Sequence, residues 1–281
     1  MNYMDLKAYF ELIRLKNCLT AGFGALISGL IASNFTFGAL FPLILAFLVV
    51  FFICGFGNSL NDIYDLKIDR INKPFRPIPS KRISLTDAKV FSYSIMIFGL
   101  IISLFNIYCF LMAVLNAVVL QKYAKIYKKN KIIGNMLVAY LTGSVFIFGG
   151  IAVGNVNVSL YLFSCAMFSM WAREIIKDYE DIEGDLKEKV SSLPIKYGEK
   201  SIYISLGLLL IAIGLSFLPY LTGIFGIYYL LMILICNLMF LAGFFNLLNA
   251  PSKKQARKTS KNIKLITNFV LIAFIIGSIF K

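Results

Sequence analysis

FPLILAFLVVFFICGFGNSLNDIYDLKIDR, residues 41–70, decides how the rest of the chain is read. Residues 41–57 carry no charge, and immediately afterwards Asn61, Asp65 and Asp69 follow one another at four-residue intervals, with Asp62 beside the first. An uninterrupted apolar run of this kind satisfies its backbone in lipid as a helix. If that helix continues past the run, positions i, i+4 and i+8 share one face, so three oxygen-bearing side chains line up at the membrane surface.

The rest of the sequence has the same character. Of 281 residues, 59% are hydrophobic and 15% charged, against about a quarter charged in an ordinary soluble domain. Apolar runs recur at 10–33, 38–60, 88–107, 109–124, 132–154, 157–175, 201–219, 223–248 and 262–280. About 20 apolar residues cross a hydrocarbon core of about 30 Å, so the pattern predicts an all-α membrane protein of nine helices, with the division around 106–109 the least marked. No cleaved leader is expected, because the first run lacks a processing site and eight more follow. Cys18, Cys54, Cys109, Cys165 and Cys236 lie inside apolar runs without a CxxC spacing and read as small packing residues. There is no histidine, which excludes imidazole acid/base chemistry, histidine-ligated haem and HExxH zinc sites.

Charge placement gives an orientation. With nine helices, 27 of the 28 Lys and Arg residues and all 14 Asp and Glu residues fall on one side, leaving Lys281 on the other. The positive-inside rule makes the charged side cytoplasmic. The amino terminus is then inside, the carboxyl terminus outside, and any function carried by charge faces the cytoplasm of a multi-pass cell-membrane protein. The net charge of +14 is accounted for by topology, and no separate basic domain points to nucleic acid. Residues 249–264, NAPSKKQARKTSKNIK, carry cations without acids and read as an anchor against anionic headgroups. Ser84 with Asp87 reads as a helix cap, and Gly55 with Gly57 as helix-packing glycines or as room for close backbone approach.

A second acidic stretch, REIIKDYEDIEGDLKEKVSSLPIKYG at 173–198, follows the sixth run. At an offset of 120, Asn58 meets Asp178, Asn61 meets Asp181, Asp65 meets Asp185 and Pro74 meets Pro194. Asp178, Asp181 and Asp185 share a helix face at i, i+3 and i+7. A solvated helix end explains one such cluster, but its recurrence suggests two similar sites facing one cavity. Oxygen-only donor sets suit a hard cation, and Mg²⁺ shares its shell between one or two carboxylates and substrate phosphates. Two acidic faces ringed by Arg70, Lys73, Arg76, Arg82, Arg173 and Lys177, above an apolar interior, describe a clamp for an isoprenoid diphosphate.

These residues resemble those of the UbiA superfamily of intramembrane prenyltransferases. Asn61, Asp62, Asp65 and Asp69 match its NDxxDxxxD motif, with RPIPS at 76–80 following. Asp181 and Asp185 match its DxxxD motif, followed by Leu193, Pro194 and Gly198. The family's tyrosine and lysine four residues apart are met in part by QKYAKIYKK: Tyr123 fits, position 127 is Tyr, and the cation stands at Lys128. The resemblance implies one prenyltransferase domain over 1–281: nine helices around a central lipid-accessible cavity, under an Asp-rich cytoplasmic cap. It implies two Mg²⁺ ions bridging a prenyl diphosphate, one held by Asn61 and Asp65, the other by Asp181 and Asp185. Asp62, Asp69 and Asp178 would be further ligands, through water or by orienting Lys and Arg. Arg70, Lys73, Arg76, Arg173, Lys177, Tyr123 and Lys128 are then candidates for the diphosphate, and Arg14, Asn17 and Lys122 for a lipid-phosphate acceptor.

REIIKDYEDIEGD is most similar to the archaeal ether-lipid branch of that family. Membership of that branch implies transfer from geranylgeranyl diphosphate to the hydroxyl of geranylgeranylglyceryl phosphate. An aromatic prenyltransferase of quinone synthesis is the alternative, and a cation transporter the remote one, disfavoured because the acids stand at helix ends rather than near the bilayer midplane. Expected partners are these two substrates and membrane lipid, with no obligatory protein partner.

Overall fold

A computed structural model describes residues 5–280, so Lys281, expected alone on the outer side, lies outside the described residues. Fourteen α-helices follow one another. They are α1 (Leu6–Ile13), α2 (Leu15–Ala32), α3 (Leu40–Tyr64), α4 (Leu66–Asn72), α5 (Leu85–Ser103), α6 (Ile107–Lys125) and α7 (Lys131–Ala152). The second half adds α8 (Asn157–Glu180), α9 (Ile182–Lys187), α10 (Leu193–Tyr197), α11 (Lys200–Ser216), α12 (Leu218–Leu221), α13 (Ile227–Asn249) and α14 (Lys253–Ile279). Among the described residues there is no strand, only a bridge between Asn130 and Ser191.

Every expected apolar run is helical over most of its length, and among the described residues eight helices are long and apolar enough to cross a membrane. The chain is therefore a multi-pass membrane protein. The sixth expected span, 157–175, lies in α8, which is long enough but is not among those eight; its last turns carry Arg173, Glu174, Lys177, Asp178 and Glu180.

The run at 10–33 is not one helix, because Arg14 adopts a left-handed conformation (φ 55°, ψ 63°) between α1 and α2. The Ile13 carbonyl released by this break accepts from Asn58 Nδ2 at 2.9 Å and from the Cys18 thiol at 3.0 Å, so no buried acceptor is abandoned. The run at 201–219 breaks likewise between α11 and α12, where Pro219 stands in the first turn. The Ser216 carbonyl there accepts from Tyr229 Oη at 2.7 Å. At the least marked division, Asn106 caps α6, its side chain accepting from the Tyr108 and Cys109 amides. Ser84 caps α5, accepting from the Asp87 amide at 3.0 Å.

The apolar residues form two cores. One packs Leu12, Val49, Ile53, Phe56 and Leu60 with Ala113 and Phe148; the other packs Leu162, Ile176, Leu209, Tyr229, Phe240, Phe244 and Phe274. They meet along α2 and α7, where Ser28 donates to the Phe146 carbonyl at 2.8 Å and shares a 3.0 Å hydrogen bond with Ser159. A methyl group on Gly149 would overlap the Ala25 carbonyl oxygen, so this seam depends on small residues. Gly57 is a packing glycine of the same kind, since a Cβ there would strike the Leu120 side chain. Four of the five cysteines are buried.

Candidate active site

The acidic stretches sit where two helices break without losing their hydrogen-bond ladders. At the end of α3, Asp65 (φ −83°, ψ −1°) joins α4. Its amide still donates to the Asn61 carbonyl at 2.9 Å, and the Asp69 amide to the Asp65 carbonyl at 2.8 Å. At the end of α8, Asp181 (φ −93°, ψ 7°) joins α9. There the Asp181 amide donates to the Lys177 carbonyl at 3.0 Å, and the Asp185 amide to the Asp181 carbonyl at 3.1 Å. Asp65 therefore corresponds to Asp181, and the offset relating the copies is 116 rather than 120. Alignment by residue type alone slipped by one helical turn, because a four-residue shift preserves the acidic face.

With this register the two sites are built alike. Asp62 and Asp69 are each 3% exposed, as is Asp178, and Asp185 is 7% exposed. Arg76 Nη1 donates to Asp62 at 2.8 Å and to Asp69 at 2.7 Å, and Arg14 adds 2.9 Å to Asp62. In the second copy Lys131 Nζ donates to Asp178 at 2.9 Å and to both oxygens of Asp185 at 2.9 and 2.7 Å. Asn135 Nδ2 donates to Asp178 at 2.6 Å. Buried carboxylates of like charge are tolerable only when paired in this way.

The middle residue of each copy is left more open. Asp181 is exposed and enters no ion pair among the described residues. Asp65 is half-buried and pairs with Lys128. Asn61 Oδ1 is buried without a hydrogen-bond partner. A hard cation would supply that partner, and the donor chemistry of Asn61, Asp65 and Asp181 suits one. Among the described residues no three acids or thiols converge into a ready cage.

The connection between α6 and α7 spans both motifs. Lys128, in the turn Tyr127–Lys129, reaches Asp65 of the first, and Lys131 reaches the second. The Ser191 amide donates to the Lys129 carbonyl at 2.9 Å, and the Lys131 amide to the Ser191 carbonyl at 2.8 Å. The Tyr123 ring lies against this connection, 3.4 Å from where a Cβ on Gly134 would stand. A Cβ on Gly134 would meet the Tyr127 carbonyl at 2.9 Å, so glycine there lets the connection fold close.

Other expected residues are placed differently from one another. Lys73 lies 3.9 Å from Asp69. Arg14, Lys73 and Arg76 line an open cleft of about 600 Å³ with Glu11 and the exposed Phe75. Arg173 pairs with Glu174, its Nε buried without a partner. Arg70, Lys177, Asn17 and Lys122 are exposed and take no part in the network. Arg82 is absent from the ring of cations around the acids, since it pairs with Glu11 and lies 3.8 Å from Asp5. Residues 249–264 do more than anchor: Arg257 donates to Glu180 at 2.7 Å and Lys253 pairs with Glu183. The Lys253 hydrogen bond holds the Glu183 carboxyl below the usual carboxylate range. Sequence reasoning missed Lys131 and Asn135 as partners of the second motif, because they stand 43 or more residues from it.

Fold and site together define an intramembrane prenyltransferase. The UbiA prenyltransferase family matches residues 21–270, and the chain belongs to that family. It is 70% identical over 278 residues to digeranylgeranylglyceryl phosphate synthase of Methanococcus maripaludis strain C7, covering 99% of this chain and all of the relative. A solved structure of digeranylgeranylglyceryl phosphate synthase matches with a TM-score of 0.92 and 54% identity, covering 98% of each chain. A UbiA homologue from Archaeoglobus fulgidus, solved bound to DMAPP and Mg²⁺, has the same fold at a TM-score of 0.64 and 16% identity, covering 95% of this chain and 99% of that one.

Proposed function

We propose that the chain transfers a geranylgeranyl group from geranylgeranyl diphosphate to the free hydroxyl of geranylgeranylglyceryl phosphate, making the second ether bond of archaeal membrane lipid. The bond from C1 to the diphosphate oxygen breaks with its electron pair leaving on the diphosphate, the bond from C1 to the acceptor oxygen forms, and the hydroxyl proton passes to the released diphosphate or to water. The single observation carrying the choice of substrates is the 70% identity, over 99% of the chain, to digeranylgeranylglyceryl phosphate synthase.

Two Mg²⁺ ions would be held by Asn61 and Asp65 on one side and by Asp181 and Asp185 on the other, with Asp62, Asp69 and Asp178 as further ligands, through water or by orienting Lys and Arg. When bound, the metal neutralises charge growing on the leaving diphosphate; the magnesium in the A. fulgidus homologue supports its use here. Asn61 contributes the unpartnered buried oxygen. Lys128, paired with Asp65, and Tyr123 on the same connection would be available to the diphosphate. Arg14, at the charged cleft, offers a grip for the acceptor's phosphate. The apolar bundle holds the isoprenoid tails and keeps water from the allylic carbon. The active domain spans 1–281, with the site and amino terminus cytoplasmic and the carboxyl terminus outside.

The test is to offer detergent-purified protein labelled geranylgeranyl diphosphate with geranylgeranylglyceryl phosphate and 4-hydroxybenzoate in parallel. Ether product from the glyceryl phosphate alone is expected. Product from the aromatic alone would overturn the acceptor while keeping the clamp.

A further inference from the structure

The short helix α1 has three chemically distinct sides, and the rest of the molecule packs against only one of them. Ala8 and Leu12 are fully buried, and Tyr9 packs edge-on against Phe91 of α5 with ring centroids 4.7 Å apart. Leu6 and Phe10, one turn apart, are 58% and 50% exposed. Lys7 and Glu11, also one turn apart, are exposed on the third side, where Glu11 pairs with Arg82 of the turn before α5. Helical periodicity sets Leu6 and Phe10 between the packed side and the charged one.

Depth decides what meets the apolar side. The left-handed Arg14 (φ 55°) turns α1 away from the axis of α2, and Ile13, the last residue of α1, lies 3.4 Å from where a Cβ on Gly55 would stand. Gly55 and Phe91 belong to the spans Phe37–Tyr64 and Leu85–Ser103, and Asp62 stands about two turns nearer the cytoplasm than Gly55. α1 is therefore packed against the sides of two spans rather than raised above them. Leu6 and Phe10 continue the lipid-facing surface of those spans, and Lys7 at their edge complements anionic headgroups. A helix apolar on one side and cationic at the margin lies in the membrane interface. The same helix also reaches the site: Glu11 and Arg14 line the charged cleft with Lys73 and Arg76, and Arg14 donates to Asp62 at 2.9 Å. Lipid and cleft are separated by α1 alone at this point.

We propose that α1 is a membrane-surface helix seated in the cytoplasmic leaflet, with Leu6 and Phe10 in lipid and Lys7 at anionic headgroups, and that this seat holds Arg14 at the rim of the charged cleft. The seat stands on geometry and charge; its effect on transfer rests on the reading of Arg14 as the grip for the acceptor's phosphate.

The test uses the full chain in vesicles of phosphatidylcholine and phosphatidylglycerol, with Trp171→Phe removing the one native tryptophan. Into this background go Phe10→Trp, Ile101→Trp on an exposed position of the α5 span, and Ser80→Trp in the exposed turn before α5. Fluorescence is read against brominated lipid and against aqueous acrylamide. Phe10→Trp should be quenched by brominated lipid at least about half as strongly as Ile101→Trp, and less by acrylamide than Ser80→Trp. Quenching by acrylamide alone, as at Ser80→Trp, would overturn the seat. Protection from both quenchers would overturn it too, by placing a second copy of the chain on this face. In the same vesicles the double variant Leu6→Ser with Phe10→Ser should raise the KM for geranylgeranylglyceryl phosphate about fivefold at parental kcat. Its thermal unfolding in detergent should match the parent, since both side chains are exposed. A parental acceptor KM in the double variant would overturn the link from the seat to Arg14. If the parent forms no ether product while Phe10→Trp is quenched by lipid, the reading of the reaction fails and the seat stands.

Discussion

Arg76 joins Asp62 and Asp69 through one nitrogen, at 2.8 and 2.7 Å, and is the clearest case of a side chain whose removal has a foreseeable cost. Arg76→Met leaves Asp69 with only Lys73 at 3.9 Å, and stranding a buried carboxylate should destabilise the protein by about 3 kcal/mol. Denaturant unfolding in detergent measures this. Lys128→Met should leave the fold intact and raise the KM for the prenyl diphosphate by about tenfold, the loss of one charge-assisted contact; initial rates against diphosphate concentration decide. The spacing of Asn61, Asp65, Asp69, Asp181 and Asp185 made both acidic faces legible, because helical periodicity is a local property. Which carboxylates are occupied was not legible, because Lys131 and Asn135 meet them only through the packing of α7 on α8.

At the scale of elements, the helices were readable from the apolar runs, while their breaks were not. Arg14 reverses its backbone in mid-run because Asp62 holds its guanidinium and Asn58 and Cys18 take the released Ile13 carbonyl. None of those partners is local to residue 14 except Cys18. Pro219, by contrast, announces its own break. Ser84→Ala should cost about 1 kcal/mol through loss of the α5 cap, with kcat unchanged, as unfolding and transfer assays on the same sample would register. Gly149→Ala is expected to cost about 1–3 kcal/mol, because the added methyl meets the Ala25 carbonyl across the α2–α7 seam. Unfolding of that variant against the parent tests whether the seam is as close as described.

For the whole molecule, two cores meet at α2 and α7, and the connection between α6 and α7 reaches both acidic stretches. Both copies lie on the side that holds the cation clusters, so the orientation can be tested directly. A cysteine at exposed Ser80 should resist a membrane-impermeant thiol reagent in intact cells, whereas one at Gly38, in the uncharged turn before α3, should react. The reverse labelling would invert the topology. The acidic faces and apolar runs together identified the family from sequence, because lipid and metal each restrict residue choice strongly. The 116-residue register required the two helix breaks themselves.

The central claim is that the two breaks form one metal-dependent clamp. The most direct measurement is single-turnover transfer of labelled geranylgeranyl diphosphate to geranylgeranylglyceryl phosphate by the parent, Asp65→Ala and Asp181→Ala, with Mg²⁺ and with chelator. The account predicts product from the parent with Mg²⁺ only, and a loss of at least about a hundredfold in each folded variant. Either variant forming product at the parental rate, or the parent working equally well in chelator, would contradict it.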